Sequence, residues 1–154
     1  MTSVTLDLRI DDDAWNTLVD IEEVASSALL AGAETLERPV AGEVAILLTG
    51  DEHMHALNKT WRDKDAPTDV LSFPASEADP GFLGDLALGF GICARDAKAQ
   101  NLSLSAHLSH LVIHGFYHLL GYDHETDDDA AIMEALEVSA LARLGLSDPY
   151  SLRA

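Results

Sequence analysis

Read for its alternation of apolar and polar positions, the chain opens on a half-buried strand. Residues 4–10, VTLDLRI, switch sides at every step. The acidic run Asp11, Asp12 and Asp13 then offers a helix N-cap, and Trp15, Leu18, Ile21, Val24, Ala25, Ala28 and Leu29 follow at helical spacing. That helix must stop near Arg38 and Pro39. Residues 43–49, EVAILLT, read as a buried strand. A short helix over about 51–61 follows, with Met54, Leu57 and Trp61 turned inward. VLSFP at 70–74 and LGDLALG at 83–89 predict two further strands, joined by the Pro- and Gly-bearing segment 75–82. One helix begins near Ile92, and a second runs from about Ser103 to Leu120, where Gly121 suits a left-handed cap. The last opens at Thr126, with Asp127, Asp128 and Asp129 complementing the helix dipole, and ends near Arg143 and Gly145. The expected fold is α+β, one mixed sheet of about four strands covered by helices in the order βαβαββαα.

Composition narrows the class. A chain of 154 residues favours one domain over 1–154, and such a domain buries about 68–70% of its unfolded surface, enough for a core without disulfides. Its single cysteine, Cys93, cannot form an internal bridge; a small buried residue in a reducing, cytoplasmic setting is the expectation. The N-terminus lacks the basic-then-apolar order of a signal peptide, and the longest apolar runs, such as residues 44–48, are too short to span a bilayer, so no membrane role is expected.

The formal charge of −18 runs against ordinary nucleic-acid binding. It is unevenly spread. Lys59, Arg62, Lys64, Arg95 and Lys98, five of the nine basic residues, lie between 59 and 98, where seven acids leave a net of only −2. The middle of the chain is the one region able to present a basic face.

The chemistry concentrates in HGFYHLLGYDH, residues 114–124. His114 and His118 stand four apart on the predicted helix and so point the same way. Gly121 lets the chain turn back so that His124 can supply a third nitrogen. Three neutral imidazoles with a position left open describe a catalytic zinc site, where bound metal lowers the pKa of water toward about 7. The spacing H-x3-H-x2-G-x2-H is metzincin-like at every position but one: Gly115 stands where those proteases carry their general-base Glu. His107 and His110 share the helix face upstream, as outer partners of the site, as pocket floor, or as ordinary buried histidines. Asp123 either orients His124 or caps the turn. His53 and His55 are assigned no role. Arg62 and Lys64 flank a charged loop, where an arginine beside an open zinc site could grip a phosphate with two parallel hydrogen bonds or be a solvated charge.

HGFYHLLGYDH, LNKTWRDKDAPTDVLSFP and LGDLALG together resemble the YbeY family of bacterial endoribonucleases, from about residue 44 to Tyr150 with its closing DPY. The first 40 residues agree only in element order. Tyr117 stands where the family usually has Leu, and Trp61 where it often has Tyr. The resemblance implies a metal-dependent, single-strand-directed endoribonuclease acting in 16S rRNA 3′-end maturation and ribosome quality control. It implies Zn2+ on His114, His118 and His124, with Arg62 and His114 as candidate catalytic residues, and RNA with the ribosome or a ribosome-associated protein as partners. Two other readings stay open: a metallopeptidase or amidase, supported by the ligand spacing and opposed by Gly115, and a non-catalytic, zinc-containing ribosome-assembly factor.

Overall fold

The computed structural model describes residues 2–150. Strand β1 (Ser3–Ile10) lies parallel to β2 (Ala41–Thr49), and β2 lies parallel to β4 (Phe82–Gly89). Strand β3 (Val70–Pro74) runs antiparallel along the free edge of β4, giving one mixed sheet of order β1-β2-β4-β3. The helices are α1 (Ile21–Glu34), α2 (Asp51–Arg62), α3 (Phe90–Ala99), α4 (Leu104–Leu119) and α5 (Asp127–Arg143). This is the expected α+β fold. The helix expected from near Ile92 is present as α3, so three helices follow β4, one more than the order βαβαββαα counts.

Alternation along the central strands decides which helix covers which face. Val44, Ile46 and Leu48 of β2 and Leu86 and Leu88 of β4 point to one side, where α1, α4 and α5 close the main core around Trp15, Leu29, Ile113 and Phe116. The opposite side carries Leu47 and Ala87 under Met54 and Leu57 of α2, a smaller cluster that includes Leu71. Helix α4 is buried along most of its length, and between its first turn and Leu119 only His110, His114 and His118 are half-buried rather than buried.

Two local expectations change. The stretch after Asp12 is a separate 3₁₀ turn, Asp13–Thr17, in which Asp12 accepts from the Ala14 amide; α1 starts only at Ile21. Trp15 explains the break: its indole N–H reaches the Thr49 carbonyl at 2.8 Å and its ring meets Phe90 edge-on, which holds the turn against the ends of β2 and β4. Trp61, expected inward, is 64% exposed. Its angular position on α2 does face the sheet, but the sheet ends at β3, so the ring overhangs the edge, where it meets Phe73 edge-on. The last inward place on α2 falls to Asn58, whose amide donates to the Ala66 carbonyl and ties down the following loop.

Tyr117, the bulky departure on α4, is fully buried and donates its hydroxyl to the Gly32 carbonyl on α1 at 2.9 Å. Burial pushes its pKa up to about 12, so it remains a donor. Cys93 is buried as expected, and burial first, then neighbouring acids, raises its thiol pKa.

His107, on α4, is buried, and neither ring nitrogen has a hydrogen-bond partner among the described residues. Burial, reinforced by His110, lowers its pKa against a smaller opposing pull from Asp69 and Asp96. The unfolded chain therefore takes up a proton near pH 6.5 that the native state refuses, and stability is lost as pH falls below that value. In metal-free protein, His107→Leu is expected to raise stability at pH 7 by about 1–3 kcal/mol by removing an orphaned polar ring. It should also flatten the decline between about pH 6.5 and 5. Urea unfolding across that range reads both effects, and a variant with the wild-type slope contradicts the account.

Candidate metal centre

The site is built at the C-terminal end of α4. Gly121 takes a positive φ of 99°. The Tyr122 amide then bonds back to the Tyr117 carbonyl at 3.0 Å and the Gly121 amide to the His118 carbonyl at 3.1 Å, the paired bonds of a Schellman turn. The Tyr117 and Tyr122 rings supply the apolar contact that accompanies it, with centroids 5.7 Å apart. The expected left-handed cap is thus present and does two things at once. It points the Tyr122 carbonyl at His118 Nδ1, 3.0 Å away, and it swings the chain back so that the His124 ring lies 5.2 Å from His118 and 5.8 Å from His114. One ring nitrogen from each histidine falls within 4.8 Å of the other two. Asp123 accepts from the Glu125 amide, which is the turn-capping alternative for that residue.

The hydrogen bonds behind these rings test the fit to a metal. A carbonyl can only accept, so His118 Nδ1 carries the proton and its Nε2 carries a lone pair. His114 Nδ1 faces Glu137 Oε2 at 2.9 Å. Burial alone would raise Glu137, but hydrogen bonds from His110 and His114 outweigh it and bring its pKa to about 2. The carboxylate is therefore ionised and His114 Nδ1 is the donor, so in the neutral ring Nε2 also carries a lone pair. These two Nε2 atoms are 3.1 Å apart. Facing lone pairs repel unless a cation or a shared proton sits between them. A proton is disfavoured: burial, then His114 and His124, lower the pKa of His118. The donor set suits a borderline cation with nitrogen ligands, and the outer N–H groups are anchored as ligating histidines require.

Arg62 lies at the end of α2, across the cleft. It lines the same depression as Lys64, Ser72 and the three histidines. Its guanidinium donates to the Ser72 carbonyl and sits 5.3 Å from the Phe73 ring centroid. The Ser72 hydroxyl in turn donates to the Gly115 carbonyl on α4 at 3.3 Å, so β3 links the arginine to the histidine helix. Asp63 closes α2 in the left-handed conformation, φ 56°, which turns the charged loop toward this cleft. Gly115 itself faces the sheet: a Cβ there would meet Leu86 Cδ2 at 2.8 Å and Ser72 Oγ at 3.2 Å.

Of the upstream histidines, His110 joins the site through Glu137, at 2.7 Å, whereas His107 does not. Glu137 was not singled out from the sequence, although a signal exists. On α5 the buried positions are Met133, Glu137, Ala140 and Leu141, so an acid occupies the apolar stripe of an amphipathic helix. His53 and His55 lie apart, against Asp11 and Asp65. Among the described residues no helix is long and apolar enough to cross a membrane.

Residues 9–145 match the family described as YbeY: Endoribonuclease YbeY. A relative of that name from Maricaulis maris is 47% identical over 145 residues, covering 94% of this chain and 91% of its own length. Another from Azorhizobium caulinodans is 44% identical, covering 97% and 98%. The fold is shared with a Thermotoga maritima protein known from its solution structure, at a TM-score of 0.56 and 22% identity, covering 92% of this chain and 91% of that one. With the match running through the histidine turn, the arginine loop and the sheet between them, the chain belongs to the YbeY endoribonuclease family.

Proposed function

We propose that this protein is a zinc-dependent, single-strand-specific endoribonuclease, one domain over 1–154, working in the cytoplasm on 16S rRNA 3′-end maturation and ribosome quality control with the ribosome or a ribosome-associated protein as partner. The observation that carries the reading is the shared cleft: three histidine nitrogens on one side and the Arg62 guanidinium on the other. Zinc held by His114, His118 and His124 would supply a Lewis acid for a phosphoryl oxygen and a means of acidifying water. The chain's own groups do the rest. Arg62, steadied by the Ser72 carbonyl, keeps further N–H groups for the oxygens on which negative charge grows. Lys64 adds positive charge at the same rim. Trp61, next to Arg62 and largely exposed, offers a flat face to an unpaired base, a contact worth about 1–3 kcal/mol, and so favours single strands.

The test is cleavage of an unstructured RNA and of the same sequence in a duplex, by wild type with and without chelation. The expected result is scission of the single strand, sparing of the duplex, loss of activity on chelation and its return with zinc. Cleavage of unfolded peptides with no cleavage of either RNA would replace the nuclease by a peptidase. Cleavage that persists after complete metal removal would overturn the metal requirement.

A further inference from the structure

Glu137 is a buried carboxylate behind the histidine group. Its side chain is 1% exposed, between α4 and α5, and among the described residues its partners are His110, His114 and Tyr150 rather than a lysine or arginine. Oε2 accepts from His114 Nδ1 at 2.9 Å. Oε1 accepts from His110 Nε2 at 2.7 Å and from the Tyr150 hydroxyl at 2.5 Å. Burial opposes this charge, and the three hydrogen bonds hold it in place. A cation on the far nitrogen of His114 would add positive charge to the carboxylate's surroundings through the ring. The order of contacts also has a direction. His110 and Tyr150 touch the carboxylate, the carboxylate touches His114, and only His114 belongs to the group of three histidines.

We propose that Glu137 is a positioning residue of the metal centre: its carboxylate fixes the His114 ring as the Nδ1–H tautomer, aims Nε2 at the ion and supplies local negative charge, while His110 and Tyr150 hold the carboxylate in place. The inference rests on the metal reading of the three histidines. It assigns α5 and Tyr150 a part in metal retention that their distance in sequence conceals.

Glu137→Gln keeps the shape and removes the charge. With zinc titrated against a chromophoric chelator, the folded variant should bind about 10–100-fold more weakly than wild type, the usual cost of losing an outer partner of a ligating histidine. Its metal-free thermal midpoint should fall, since the hydrogen bonds that His110, His114 and Tyr150 give to an ionised carboxylate are weakened, so zinc affinity is read below that midpoint, on folded protein. A purely structural tie between α4 and α5 would show that fall with zinc affinity unchanged. Nitrogen NMR of metal-free wild type gives an arm that needs no variant: His114 should be the Nδ1–H tautomer. An Nε2–H tautomer, or wild-type zinc affinity in Glu137→Gln, overturns the proposal. Wild type that takes up no zinc at all overturns the metal reading itself, whereas zinc-binding wild type with an unaffected Glu137→Gln overturns only the role of Glu137.

Discussion

His118→Ala and His124→Ala are each expected to leave the protein folded and to abolish stable zinc binding, and RNA cleavage with it. Removing a ligand should exceed the roughly 10–100-fold that follows from losing an outer hydrogen-bond partner. The comparison matters because the two residues are positioned by different means. His118 is set by α4 and by its bond to the Tyr122 carbonyl. His124 is exposed on the loop beyond Gly121 and is brought in only by the capping turn. Equal loss in both variants means that the loop nitrogen is a full ligand. Acid should mimic the substitutions. Burial and the neighbouring histidines lower the pKa of His118, so the folded apoprotein binds its proton less readily than the unfolded chain. Stability of the apoprotein is therefore lost as pH falls below about 6.5, and metal, competing with protons for the same nitrogens, leaves over the same range. Elemental analysis after gel filtration checks the first expectation; full occupancy in either variant removes that histidine from the ligand set.

Arg62→Lys is expected to keep zinc and fold while losing about 10²–10³-fold in RNA cleavage rate, the scale of a lost charge-stabilising contact. Among the described residues the arginine's hydrogen bond goes to Ser72 and not to a histidine, so the metal site should be untouched. Positive charge is retained, so attraction of RNA over distance should change little. What disappears is the planar fork. In the structure one arm of that fork is committed to the Ser72 carbonyl, and the side chain lines the cleft that the three histidines also line. A lysine that keeps the carbonyl bond must withdraw from the phosphate, and one that reaches the phosphate must release the carbonyl. The deficit should therefore appear in kcat more than in KM. Single-turnover cleavage with zinc content measured on the same samples decides it: undiminished cleavage by Arg62→Lys with metal retained removes the role given to Arg62.

The parts of this molecule that could be read from sequence are those with short-range causes. The alternation in β1, the Thr126 cap of α5 and the left-handed glycine after α4 each depend on a few neighbouring residues, and each is present. The three histidines belong with them, since helical spacing and one turn bring them together. What was missed depends on residues distant in sequence. Trp15 breaks the first helix because of a carbonyl 34 residues away. Trp61 is exposed because strand order leaves β3 at the edge, which helix periodicity cannot express. Glu137 looked like one more acid in an acidic chain; only the packing of α5 against α4 turns it toward His110 and His114.

The tight seat of Gly115 bears on how this scaffold relates to zinc proteases of the same spacing. In those enzymes the residue after the first histidine must reach the reacting atoms. Here that side of α4 is packed against the side-chain ends of Leu86 and Ser72, which a Cβ would meet at 2.8 and 3.2 Å. A Glu at 115 would have to displace these two side chains from the sheet side of α4. The two chemistries are thus separated by the packing behind residue 115 as well as by its identity.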